Sequence, residues 1–269
     1  MMLSSGPGVR VRWDRRIERA RELGDKHPAA ATLLSFYEHV LRFQQDVAEE
    51  CNAPAKGMGC LRDEIDLGFA ASKIPILLML SSKHGPKELA RHAEEVASRN
   101  RSNWQEILKS FALAHRGFNE NPFDSFFARV CLQAIAETLQ FQFPADANYF
   151  GSVCPACSGV PQLSILRPEA EGASRWLLCS FCLREWRFRR IICPWCGEED
   201  KEKLPRYSAP ECGHVSVEAC DRCRTYLKSV DMTIDGRAEP LVDEAAMAVL
   251  DLWARDHGYA KMVPNAIGF

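Results

Sequence analysis

"CSFCLREWRFRRIICPWCG", residues 179–197, carries two Cys-x-x-Cys pairs separated by a basic and aromatic run. Such a knuckle lets two thiolates converge on one metal ion, while N–H groups of the turn hydrogen-bond to the sulfurs. A glycine directly after the second cysteine eases a left-handed backbone, and Gly197 holds that place. Two knuckles complete a tetrahedral four-sulfur site. The reading of the fold turns on whether these two stand alone.

They do not. Cys154-Pro-Ala-Cys157 precedes them and Cys220-Asp-Arg-Cys223 follows, so eight cysteines form four like-spaced knuckles. The gaps are 21 residues inside the first two knuckles, 23 inside the last two and only 10 between the pairs. Each long gap has room for two short strands, enough for a ribbon to bring its own knuckles together. This nested arrangement groups Cys154, Cys157, Cys179 and Cys182 as one site and Cys193, Cys196, Cys220 and Cys223 as the other. An interleaved cross-brace, first knuckle with third and second with fourth, competes with it, and the spacing leaves both open.

A tetrahedral S₄ donor set suits zinc and rubredoxin-type iron alike, so two Fe or two Zn ions are expected. A closed S₄ site has no open position for a substrate, which argues against metal hydrolysis. Metal binding contributes on the order of 10 kcal/mol of folding energy per structural site, and a ribbon with little core depends on it. Cys212-Gly-His214, a tempting further ligand pair, reads as a turn between strands. Arg184, Arg187, Arg189 and Arg190 alternate with Trp186 and Phe188 and read as one solvated strand face. No Gly-rich phosphate loop, Ser-His-Asp arrangement or H-E-x-x-H is present, so an enzyme is not expected.

Upstream the pattern is helical. "RWDRRIERARELG" is expected to end at Gly24, and Pro28 to open "HPAAATLLSFYEHVLRFQQDVAEE" with Leu33, Leu34, Tyr37, Val40, Leu41 and Val47 on one face. "CNAPAKGMGCLRDE" is a loop. "IPILLMLSSKHG" and "PKELARHAEEVASRN" are two helices divided at Gly85-Pro86, followed by "NWQEILKSFALAHRG". "NPFDSFFARVCLQAIAETLQF" is capped by Asn121, with Cys131 as a small core residue. Short loops between amphipathic helices imply a bundle. After Pro144 short strand-like runs take over, "VPQLSIL", "SRWLL", "EWRFRRII", "HVSVEA" and "RTYLKSV". Pro240 opens one last helix, with Gly258 as its stop. The expected class is α+β: an N-terminal helical bundle (1–148), two rubredoxin-like or zinc-ribbon metal-binding modules (149–192 and 193–235), and a C-terminal helix and tail (236–269).

Composition limits the function classes. The 269 residues are 46% hydrophobic and 26% charged with a net charge of −2, an ordinary globular balance without the basic excess of a nucleic-acid binder. The longest strongly apolar run, Ile74–Leu80, is interrupted by Pro75 and far too short to cross a bilayer. "MMLSSGPGVRVRW" lacks a secretory h-region, so a cytoplasmic location is expected, where paired cysteines serve metals more often than disulfides.

"VEACDRCRTYLKSVDMTIDGRAEPLVDEAAMAVLDLWARDHGYAKMVPNAIGF" resembles the FdhE family of formate dehydrogenase accessory proteins. The resemblance rests on the last knuckle with Tyr226-Leu227-Lys228 and Asp231, then Val242-Asp243-Glu244, Leu250-Asp251-Leu252-Trp253 and Gly258-Tyr259, and on "CSFCLREWRFRRIICPWCG". The order of a helical region followed by four knuckles is also the family's. The resemblance implies a cytoplasmic, non-catalytic maturation factor that binds the catalytic subunit of respiratory formate dehydrogenase before export by the twin-arginine route. It also implies rubredoxin-like, iron-associated sites, a role that falls on the eight knuckle cysteines. Ser158 stands where the third knuckle has glycine. A rubredoxin-like electron carrier and a zinc-ribbon nucleic-acid binder are the alternatives.

Overall fold

The computed structural model describes residues 7–51, 59–114, 121–144, 146, 148–170 and 172–267, with the side chains of 7–10 set aside. The chain divides into two compact units, residues 1–144 and 145–267.

The first unit is helical: α1 (Pro7–Lys26), α2 (Ala31–Glu50), α3 (Leu67–His84), α4 (Lys87–Glu95), α5 (Arg101–Leu113) and α6 (Pro122–Leu139). α6 is buried almost all round, as a central helix is, and packs against α2, α3 and α5. Asn121 caps it as expected, its side chain accepting from the N–H groups of Phe123 and Asp124. Cys131 is fully buried on α6, and burial pushes its thiol up to about 12. Buried charge in this core is met by partners: Arg16 forks onto Glu137 at 2.9 and 2.8 Å, and Arg62 donates to the Ala112 carbonyl.

Two helix ends differ from expectation. α1 runs past Gly24 to Lys26 and stops before Pro28, which opens a short 3₁₀ turn instead of α2. Proline disfavours helical backbone in the residue before it, so the stop lies there and not at the glycine. α3 begins at Leu67, seven residues before Ile74, because the Asp66 side chain accepts from the N–H of Phe69. Most of the loop after Cys51, and residues 115–120, lie outside the described residues.

The second unit is built on one sheet: β1 (Pro161–Glu169), β2 (Gly172–Cys179), β3 (Glu185–Phe188), β4 (Arg206–Tyr207), β5 (Val215–Cys220), β6 (Thr225–Asp231) and β7 (Ala260–Lys261). Each half is an antiparallel meander, β1-β2-β3 and β4-β5-β6, and β1 pairs β6 in parallel to give the order β3-β2-β1-β6-β5-β4. The two ribbons are therefore one continuous sheet. β4 and β7, two residues each, carry no sequence signal of their own.

The last helix is two, α7 (Pro240–Ala246) and α8 (Ala248–Asp256), broken at Met247 with ψ of 45°. The carbonyls of Glu244 and Met247 both accept from the Lys228 ammonium, and that of Met247 is shared with the Leu250 N–H in the first turn of α8. Gly258 follows α8 at φ of 76°, the left-handed stop its position implied. Among the described residues, no helix is long and apolar enough to cross a membrane.

Candidate metal centres

The four knuckles share one turn. In the first, the N–H of Cys154 donates to the Gly159 carbonyl and the N–H of Ser158 to the Cys154 carbonyl. The third repeats both bonds through Cys193, Glu198 and Gly197. The residue after the second cysteine is left-handed every time: Ser158 (φ 55°), Leu183 (56°), Gly197 (73°) and Arg224 (57°). Ser158, Leu183 and Arg224 are the only non-glycine residues at positive φ among the described residues, so the knuckle imposes the conformation whether or not glycine is available. Leu183 and Arg224 use the forced direction. Leu183 joins the core with Leu163, Ile165 and Leu241, and Arg224 lies 4.0 Å over the Tyr259 ring.

β1 and β2 carry the first two knuckles to one end of their ribbon, where the sulfurs of Cys154, Cys157, Cys179 and Cys182 lie within 4.8 Å of one another. Cys193, Cys196, Cys220 and Cys223 converge in the same way on the second ribbon. The arrangement is nested, not interleaved. Sγ–Sγ separations are 3.5 Å for Cys154–Cys182 and 3.4 Å for Cys157–Cys179. They are 3.7 Å for both Cys193–Cys223 and Cys196–Cys220. A disulfide needs about 2.05 Å. A metal–sulfur bond of about 2.3 Å gives a tetrahedron with edges of about 3.8 Å. Two sets of four thiols at that spacing could each hold one metal ion.

The two centres differ in burial. All four cysteines of the first are buried, whereas Cys196 and Cys223 of the second are half-buried. Burial pushes the Cys179 and Cys182 thiols well up, with the neighbouring sulfurs adding to it, so thiolate charge there requires a cation in contact. At Cys223 burial also acts upward, but hydrogen bonds with Thr225, Cys196 and Cys220 together outweigh it and bring the thiol below its usual range. The N–H groups of Phe181 and Cys182 point at the Cys179 sulfur at 3.3 and 3.5 Å, the sulfur contacts a knuckle supplies.

Cys212 and His214 belong to neither centre. Cys212 ends a 3₁₀ turn, and His214 Nε2 lies 2.7 Å from Asp243 Oδ1 near the start of α7. The arginine-rich run is a strand with its aromatics inward. Trp186 and Phe188 are buried, while Arg187 pairs with Glu169 and Arg189 with Glu199.

A buried ion network went unread in the sequence. Lys228, on β6, contacts Glu244 at 3.0 Å and Asp251 at 2.5 Å with no exposure of its own. Lys261 bridges the same two carboxylates, Tyr226 donates to Asp251, and Asn265 donates to Glu244. Burial holds the Lys228 ammonium below its usual range despite both carboxylates, whereas the carboxylates outweigh burial at Lys261 and hold it above. One signal was present: strand alternation puts Lys228 on the inward side with Tyr226 and Val230.

Residues 153–190 match the family model described as FdhE, central domain, and residues 191–267 the model described as FdhE, C-terminal domain. The chain is similar to a protein named FdhE homolog from Aquifex aeolicus, 24% identical over 271 residues, covering 94% of each chain. It is also similar to protein FdhE of Escherichia coli, 24% identical over 98% of this chain and 90% of that one. The crystal structure of the FdhE protein from Pseudomonas aeruginosa superposes with a TM-score of 0.77 at 23% identity, over 96% of both chains, and shares the fold.

Proposed function

Because this chain belongs to the FdhE family, we propose that it is a non-catalytic accessory protein of respiratory formate dehydrogenase. It binds the catalytic subunit in the cytoplasm and releases it for export. The observation that carries this reading is the pair of closed four-cysteine centres on a family-matched sheet. Four thiolates fill a tetrahedral ion's positions, so neither centre offers a place for a substrate. A protein that binds and lets go needs a modest reversible interface, not an obligate one.

The eight cysteines are the ligands in this proposal, with one ion in each centre. The donor set fits zinc and iron equally, and the family resemblance favours iron. When bound, the ion supplies folding energy and fixes the ribbon ends. A second reading, an electron carrier, is favoured by one observation: Cys196 and Cys223 bring the second centre to the surface, as electron exchange requires.

Deleting the gene in its host is expected to abolish respiratory formate oxidation without changing transcription of the enzyme. The tagged protein should retain the immature catalytic subunit. Intact activity together with no co-purifying subunit would overturn the accessory reading. Reversible iron redox at the second centre, seen in visible spectra of protein purified without oxygen, would favour the carrier.

A further inference from the structure

One face of the sheet holds Lys228 and the ion network; the opposite face borders a cavity of about 410 Å³ lined entirely by the second unit. That volume lies within the range of small-ligand sites. Strand register puts Arg175 opposite Leu166 and Glu218 opposite both Leu227 and Arg206, so these five side chains share the cavity face. Ile191, Pro194, Leu204, Pro205 and Met262 supply the apolar walls, and the knuckle cysteines Cys193 and Cys220 close one side.

Arg175 is the unusual lining group. Only 5% of it is exposed, and its guanidinium is held from several directions. Nη1 donates to the carbonyls of Arg189 and Ile192, Nη2 donates to Glu218 at 2.6 Å, and the Phe188 ring lies 5.4 Å away. Its Nε–H has no acceptor among the described residues. A buried donor left unsatisfied costs stability, and its persistence beside a cavity calls for an acceptor that enters the cavity. Arg190, Lys201 and Arg206 line the same space, whereas among the described residues Glu218 is its only carboxylate and already serves Arg175 and Arg206. With an ion bound, thiolates at Cys193 and Cys220 would offset part of this excess. The remaining cations stand at the exposed rim, where they meet an incoming ligand first.

We propose that this cavity is a binding site for an apolar carboxylate, whose acid group accepts from Arg175 Nε and pairs with Arg206 while its apolar body lies against Leu204, Leu227 and Met262. The chemistry is shared by a free organic acid and by an acidic side chain flanked by apolar residues in a polypeptide. The site does not depend on the accessory reading.

The test uses full-length, metal-loaded protein and anilinonaphthalene sulfonate, an apolar fluorescent anion. Saturable binding displaced by octanoate and not by octanamide is expected for a free-acid site. Displacement by acetyl-Leu-Glu-Leu-Glu-Leu-amide but not by octanoate or the glutamine version of the peptide would assign the same site to a polypeptide. Arg206→Gln, at an exposed position that need not disturb the core, is expected to weaken the dye roughly tenfold through loss of one charged hydrogen-bond donor. Leu204→Trp should weaken it by filling the mouth, with metal content and circular dichroism unchanged in both variants. Three results would each overturn the proposal by leaving a cavity filled with water alone. They are no saturable binding, displacement by the neutral amides as readily as by the acids, or wild-type affinity in both variants.

Discussion

The two ribbons carry the same knuckles and the same four-sulfur geometry, yet they are held in place by opposite means. The first packs Leu163, Ile165 and Leu178 with Leu183 and with Leu241 of α7 in an apolar cluster, and all of its cysteines are buried. The second is fastened to α7 and α8 by Lys228, Tyr226, Glu244 and Asp251, and half of its cysteines reach solvent. Knuckle chemistry sets where the sulfurs go. What surrounds a centre sets how exposed it is and what its loss costs, and that differs although the turns do not.

The hardest way to break this comparison is to remove ligands. Cys154→Ser with Cys157→Ser, or Cys193→Ser with Cys196→Ser, leaves two thiolates, too few to close a tetrahedral site. Each change removes on the order of 10 kcal/mol of metal-linked folding energy. Because β1 and β6 join the ribbons in one sheet, either pair should expose residues 145–267 to protease and leave a helical fragment of residues 1–144. Protease resistance equal to wild type would show that the strands hold without metal.

Lys228→Met tests the charged fastening of the second ribbon. It leaves Glu244 and Asp251 buried with only Lys261 to neutralise them. Unfolding in urea should show a loss of about 3–5 kcal/mol, the cost of breaking a buried ion pair from one side. A loss below about 1 kcal/mol would mean that the network contributes no more than a surface ion pair.

Metal release sharpens the comparison. The half-buried Cys196 and Cys223 give a chelator direct access that the first centre denies. Chelation should be biphasic, with one ion per chain leaving roughly tenfold or more faster, and Cys223→Ser should alter only the fast phase. A single phase releasing two ions would mean that burial does not govern exchange.

The smallest effect separates the first knuckle from the third. Ser158 is exposed and left-handed, so Ser158→Gly should raise the free energy of unfolding by about 0.5–1 kcal/mol. Gly197→Ala should lower it by about 1 kcal/mol, for its φ of 73° penalises a side chain although no atom would clash with the new Cβ. Equal shifts of one sign would show that the turn does not require this conformation.

Much of the helical unit was legible from local signals. Asn121-Pro122 opens α6, and Gly85-Pro86 divides α3 from α4, as those residues imply. Gly24 misled because a glycine only permits a stop, while Pro28, four residues on, enforces one. The single helix expected after Pro240 was misread because its break at Met247 answers Lys228, which lies on a distant strand.

The sequence by itself determined the four knuckles, and with them the donor set and the order of a helical unit before a sheet, because thiolate spacing and apolar periodicity are local properties. It did not decide the rest. Nested grouping over interleaved depends on which strands pair, and strand pairing between residues far apart in the chain is settled by the whole sheet. The fusion of two ribbons through β1 and β6, the unequal burial of the two centres, and the meeting of Arg175 with Glu218 across 43 positions all follow from that pairing. Tertiary structure alone decided them: each is a contact whose energy exists only once both partners are already in place.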